Sequence, residues 1–124
     1  MLAIGPHTRI YLFTGNTDMR KSFDGLRAIV EQSARTPLPQ SGHLFGFANR
    51  RRNLVRFLYW DGTGFWVCGK RLQRGTFWWP GNAAAGQNLE VSAQKLAALI
   101  GGLELPVRER RGRLRVQPAA AQNI

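Results

Sequence analysis

The sequence predicts an α+β fold. One domain would hold an antiparallel sheet of three to five strands, packed by one main amphipathic helix and followed by a short C-terminal helix. Three observations carry this reading. Apolar and aromatic runs separated by turn residues crowd residues 43–70. A single stretch, 18–33, has helical rather than strand periodicity. An Asp-Gly pair, Asp61-Gly62, sits between two of the apolar runs, which is a strong hairpin signal.

Taken in order, residues 8–13 (TRIYLF) read as a strand, because β-branched and aromatic residues dominate them. Thr14-Gly15-Asn16 is a turn. The helix over 18–33 starts at a Thr17 or Asp18 cap, and Met19, Phe23, Leu26 and Val30 form its apolar stripe. Arg20–Asp24 and Arg27–Glu31 are opposite charges four residues apart on the other side. Gly25 weakens this helix by about 1 kcal/mol relative to alanine, and a close backbone approach at that position would explain its use. Pro37 and Pro39 end the segment.

Residues 43–48, 54–60 and 65–70 read as an antiparallel meander, with the loop Asn49-Arg50-Arg51-Arg52-Asn53 and the Asp61 turn between them. Residues 76–80 suggest a short edge strand stopped by Pro80. Residues 81–88 are a small-residue loop, and Ser92 caps a helix over about 93–100 that Gly101-Gly102 ends. The domain is expected to span 1–104. Residues 105–124, rich in Arg, Ala and Gln, read as a disordered basic tail.

At 124 residues and 44% hydrophobic content the chain suits one core. It has no apolar run approaching the roughly 20 residues of a membrane span, and no signal-peptide pattern. One cysteine, Cys68, cannot form an intrachain disulfide, which fits a cytoplasmic protein. The net charge of +11 points to a polyanionic partner, with nucleic acid first. A membrane surface would want an exposed amphipathic basic helix, and the helix here reads as a core helix.

The location of the charge says more than its sum. Residues 49–74 hold Arg50, Arg51, Arg52, Arg56, Lys70, Arg71 and Arg74 against Asp61 alone, a net +6. In a meander, alternate loops share one end of the sheet. The strand leaving the 49–53 loop turns at Asp61, and the returning strand brings Lys70, Arg71 and Arg74 back to Arg50, Arg51 and Arg52. The merged rim would be a phosphate-binding patch, with Arg56 on the adjoining face. The plainer alternative is a set of solvated arginines that serve solubility.

The aromatics around the meander read as core for Phe57 and Tyr59. Trp78 and Trp79 are adjacent, so a strand would aim them at opposite faces. They are candidates for a partner interface, against core or base stacking. A search for catalysis finds little. The seven carboxylates have no evident acidic neighbours, His7 and His43 are isolated, and no cofactor or metal-ligand spacing appears. Cys68 reads as a small buried residue rather than a nucleophile.

Several stretches together resemble the small TnpB accessory proteins of IS-sixty-six-type insertion sequences. They are TDMRKSFDGL (17–26), SGHLFGF with the arginine loop (41–52), RFLYWDGTGF (56–65), KRLQRGTFWWP (70–80) and SAQKLAALIGGLE (92–104). The family's shared letters fall on Thr17, Asp18, Met19, Arg20, Lys21, Gly25, Leu26, Phe47, Arg50, Arg56, Trp60, Asp61, Gly62, Gly64, Lys70, Arg71, Leu72, Gly75 and Pro80, with Arg56 where lysine is common. The end of the chain after Pro106 departs from the pattern. These TnpB proteins are distinct from the RNA-guided nucleases of the same name.

The resemblance implies a non-catalytic accessory protein for transposition in bacteria, with strand cleavage left to a separate transposase. The charge and the resemblance together lead to the expected partners: DNA at the element's ends, the transposase and a second accessory protein, with no membrane and no small-molecule substrate. Two readings follow from the residues and the resemblance together. In one, the basic rim grips DNA. In the other, the chain is a protein–protein adaptor whose rim meets an acidic surface of the transposase.

Overall fold

A computed structural model describes residues 5, 7–33, 36–80 and 87–101. The expected tail, 105–124, lies outside the described residues. The chain divides into two compact units, Met1–Val91 and Ser92–Ile124.

The first unit is built on a sheet of five strands: β1 (Ile10–Phe13), β2 (Leu44–Ala48), β3 (Leu54–Trp60), β4 (Phe65–Arg71) and β5 (Asn88–Val91). Helix α1 (Phe23–Gln32) lies between β1 and β2 in sequence, and one 3-10 turn, Pro39–Ser41, precedes β2. The strand order is β4-β3-β2-β1-β5. The meander β2-β3-β4 is antiparallel as the sequence implied, with Phe45 opposite Leu58 and Leu58 opposite Val67. The sheet as a whole is mixed, because β1 pairs parallel to β2. A parallel pair needs a crossover of a dozen or more residues, usually a helix, and the connection through α1 supplies one.

β5 is a strand that the sequence reading did not assign, and it begins at Asn88, the last residue of the expected loop. It pairs antiparallel with β1, Tyr11 opposite Glu90. The expected edge strand over 76–80 is absent. That segment joins no ladder, yet Phe77 and Trp79 are buried while Trp78 is exposed. The alternation was real, but it lays two rings against the rest of the unit instead of extending the sheet edge.

One face of the sheet meets α1. Tyr11, Phe13, Phe45, Phe47 and Leu58 cluster there with Leu26 and Val30 of the helix, and Met19, Ile29, Phe65 and Val67 pack at the margin. Phe13 and Phe47 stack with centroids 5.1 Å apart. On the other face Phe57 meets Trp79 edge-on at 6.3 Å. A Cβ on Gly46 would come within 2.7 Å of the Phe57 ring and 2.8 Å of Leu12. The close backbone approach expected at Gly25 is not what an added Cβ would meet first: its nearest neighbours are Lys21 side-chain atoms, with the Lys21 Cβ 2.9 Å away.

Helix α1 begins later than its periodicity suggested. Asp18 turns its carboxylate onto the backbone N–H of Arg20, and Lys21 N–H donates to the Asp18 carbonyl, closing a separate turn before the helix. Ser22 then takes an extended conformation as the N-cap. The expected Arg20–Asp24 pair therefore gives way to a fork-on-fork pair between Arg20 and Asp18, with the shortest contact at 2.8 Å. Arg27 does reach Glu31, at 3.9 Å, and also Asp24, at 3.7 Å.

In the second unit α2 (Ala93–Leu99) is capped as expected, Ser92 Oγ accepting the Lys95 N–H at 3.0 Å. Leu96 and Ile100 are buried. Gly101 leaves the helix with φ of 68°.

Candidate functional site

The β3–β4 hairpin has two ends. At the turn, Asp61 Oδ1 accepts from the backbone N–H groups of Thr63 and Gly64 and from the Thr63 hydroxyl, and Asp61 Oδ2 accepts the Trp66 indole N–H at 2.7 Å. These donors hold the carboxyl well below the usual carboxylate range, the Thr63 N–H first among them. Gly62, with φ of 104°, supplies the left-handed step that side chains resist.

At the opposite end the cations collect. Leu54 lies opposite Arg71 and Val55 opposite Lys70, so the last residues of β4 flank the first of β3. Two backbone hydrogen bonds then tie the chain after β4 to the arginine loop. Leu72 N–H donates to Asn53 O at 2.8 Å, and Phe77 N–H to Arg52 O at 2.6 Å. Arg50–Arg52 and Lys70–Arg74 therefore share one end of the sheet.

The arginine loop is shaped by its asparagines. Asn49 Oδ1 accepts the N–H groups of Asn53 and Leu54, and its Nδ2 donates to Asn53 Oδ1 at 2.7 Å. Arg52 N–H closes the turn on Asn49 O at 3.1 Å. Arg52 itself has φ of 61°, a left-handed conformation uncommon outside glycine and asparagine.

Within this rim the cations divide into two kinds. Arg52 is half-buried and donates from Nη1 to Gly15 O at 2.9 Å, and burial pushes its guanidinium below its ordinary value. Arg56 is half-buried and donates from Nη1 to Lys21 O at 3.2 Å. Gly69 lies opposite Arg56, and a Cβ there would meet Val55 O at 2.8 Å and Arg56 Cγ at 3.2 Å. These two arginines brace the loops. Arg50, Arg51, Arg71 and Arg74 are exposed, while Lys70 is half-buried.

Sequence reasoning missed one contributor. The 15–22 loop comes to the same end, since Thr17 N–H donates to Ala48 O at 2.9 Å and both braces grip this loop. It adds the exposed Lys21 to the rim. Its signal was in the topology, because the return from β1 into a parallel β2 has to cross there. Beside it an open groove of about 500 Å³ is lined by Ser22, Phe23, Leu54, Arg56, Val67, Cys68, Gly69 and Arg71.

The two tryptophans separate. Trp78 is 57% exposed, whereas Trp79 is 6% exposed and donates its indole N–H to Phe13 O at 2.9 Å. Trp79 is therefore a core residue and drops out as an interface candidate. Cys68 departs from expectation the other way. It is exposed, because β4 is an edge strand. Neighbouring atoms still desolvate the thiol enough to raise it above its ordinary value, opposite to what a nucleophile needs.

Chemically, the rim offers guanidinium and ammonium donors to anions, with forked donors suited to phosphate or carboxylate. No cluster of three or more His, Cys, Asp or Glu residues able to hold a metal ion forms among the described residues. No helix among them is long and apolar enough to cross a membrane.

The profile of the family described as IS66 Orf2 like protein matches residues 8–110. The chain is 36% identical over 104 residues to the uncharacterized protein y4hO of Sinorhizobium fredii, covering 84% of this chain and 88% of that one. It is 34% identical over 103 residues to y4jC of the same organism, also uncharacterized, covering 82% and 86%. No solved structure matches significantly.

Proposed function

From the premise that this chain belongs to the IS66 Orf2 like family, and so is an insertion-sequence-associated accessory protein, we propose that it serves transposition without catalysis, by binding DNA through the basic rim. One observation carries the reading. The β3–β4 register and the bonds from Leu72 and Phe77 bring two sequence-separated basic clusters to one end of a sheet. Phosphate contacts supply most of a DNA complex's non-specific affinity and fix its register. In this reading Arg50, Arg51, Lys70, Arg71 and Arg74 hold phosphates, Lys21 extends their track, and Arg52 and Arg56 set the loops that present them.

A second reading keeps the rim but changes its partner. Trp78, 57% exposed beside the rim, is the kind of aromatic that anchors a protein contact. Here it would dock the transposase or a second accessory protein, and the rim would meet an acidic surface.

A salt series with the purified full chain separates the two. DNA of the element's ends and random DNA are titrated in parallel. At about 0.9 released counterions per phosphate, five to six contacts give a log–log slope of about −4.5 to −5.4. A flat slope, or no retention at low salt until transposase is added, overturns DNA binding and selects the adaptor. Tighter binding to the element's ends than to random DNA would add base or shape readout to the phosphate contacts.

A further inference from the structure

We propose that β4 is a self-pairing edge: two copies of the chain join β4 to β4, antiparallel and two-fold about Cys68, into one continuous sheet. The pairing shares Lys70 and Arg71 with the DNA reading but stands on four features of the strand itself.

The first is availability. β4 is terminal in the strand order, and no described strand lies beyond it. It is seven residues long and contains no proline. The other edge, β5, has four residues with Asn88 and Glu90 among them, the short polar edge that discourages pairing. Trp66, on β4, is 49% exposed.

The second is the direction of its free donors. Leu72 N–H points to β3, donating to Asn53 O. By alternation the N–H groups of Lys70, Cys68 and Trp66 also face β3. Those of Phe65, Val67, Gly69 and Arg71 face outward and can pair with a new strand.

The third is the distribution of charge. β4 carries aromatic residues, Phe65 and Trp66, at one end and cations, Lys70 and Arg71, at the other. A parallel in-register pair would lay cation on cation. The antiparallel pair centred on Cys68 lays Lys70 against the second copy's Trp66, and Arg71 against its Phe65. Both are cation-on-aromatic contacts. Trp66 also brings an acid, because its indole N–H holds the Asp61 carboxylate at 2.7 Å. Asp61 is the one acid within residues 49–74. The same patch is thus complementary to itself, as a two-fold interface requires.

The fourth is geometric consistency. In this register Val67 and Gly69 of opposite copies exchange hydrogen bonds. Cys68 meets Cys68 in a non-hydrogen-bonded pair, where Cα atoms stand about 4.5 Å apart. That spacing lies within the range a disulfide can bridge, so the exposed thiol reports the register.

The test uses the full chain, with sedimentation velocity for mass and mild diamide oxidation to link paired thiols. The wild type is expected to be a dimer that becomes disulfide-linked through Cys68. Trp66→Lys sets lysine against Lys70 of the other copy and should give an unlinked monomer, while W66K/K70E should restore both dimer and link. Circular dichroism confirms that each variant is folded. A wild type that is monomeric at all soluble concentrations overturns the proposal. So does a dimer that diamide leaves unlinked, which would place the interface elsewhere. A W66K/K70E chain that folds but stays monomeric overturns the register, and a link that forms equally in W66K overturns the pairing.

Discussion

The two ends of the β3–β4 hairpin are made of the same ribbon and do opposite things with their polar groups. At the Asp61 end four donors converge on one carboxylate within the hairpin itself. At the arginine end two guanidiniums are spent on loop carbonyls, and four more stand exposed. A group whose partners are supplied locally stabilises structure. Among the described residues no ion pair joins Arg50, Arg51, Arg71 or Arg74 to an acid, and like charges gathered so call for an outside anion. The difference makes the arginine end the candidate binding surface and the Asp61 end a structural staple.

The largest expected effect breaks the comparison at the arginine end. Reversing Arg50, Arg51, Arg71 and Arg74 to Glu should weaken DNA retention on the order of a thousandfold at low salt, since each lost phosphate contact removes its share of counterion release. All four side chains are exposed, so the circular dichroism spectrum should be that of the wild type. Retained binding by a folded quadruple variant would show that the rim does not grip DNA.

A smaller effect sharpens which groups near that end are structural. Trp79 donates to Phe13 O from a buried position, and it anchors the segment that carries Arg74. Trp79→Phe keeps most of the ring but leaves that carbonyl without its donor, which should cost about 1–3 kcal/mol in denaturant unfolding. Trp78→Ala should cost less than Trp79→Phe, because more than half of the Trp78 surface already meets solvent. Equal losses at the two positions would contradict the burial assigned to them.

Much of this was legible beforehand, and the misses share a cause. The meander could be read because β2, β3 and β4 are rich in aromatic and aliphatic residues and punctuated by the arginine loop and by Asp61-Gly62. The convergence of Arg50–Arg52 with Lys70–Arg74 then followed from chirality-free geometry alone. β5 could not be read, because Asn88–Val91 is a short strand of mixed polarity that is defined by the neighbour it pairs with. Lys21 joins the rim only through the parallel β1–β2 pairing, a long-range fact. Trp78 and Trp79 look alike as letters. The carbonyl of Phe13, 66 residues away, decides which one is core. The start of α1 was lost to a local competitor, the Asp18 side chain bonding its own turn.

The smallest effect tests the staple end and leaves the rim untouched. Asp61 is held below its ordinary value by its donors. A depressed folded value means that the folded state favours the ionised form. The resulting stabilisation is present above the unfolded carboxyl value of about 3.9 and is lost as pH falls below it. Asp61→Asn keeps an acceptor for Thr63 and Gly64 but carries no charge and does not titrate. At neutral pH the variant should therefore melt below the wild type, and the gap should begin to narrow only below about pH 4 and go on closing as pH approaches the depressed folded value. Asp18, depressed mainly by its bonds from Arg20, titrates in the same direction in both chains, so each keeps a residual acid slope and only their difference reports Asp61. Melting temperatures of the two chains between about pH 2 and 7 measure it, with the Trp66 indole N–H resonance as a local probe. A gap that stays constant across that range would mean that the Asp61 charge contributes nothing to the turn. Within one chain that carboxylate lies at the hairpin end away from the rim, so the salt slope of DNA binding changes in the variant only through the contact with the second copy's cations that β4 pairing creates.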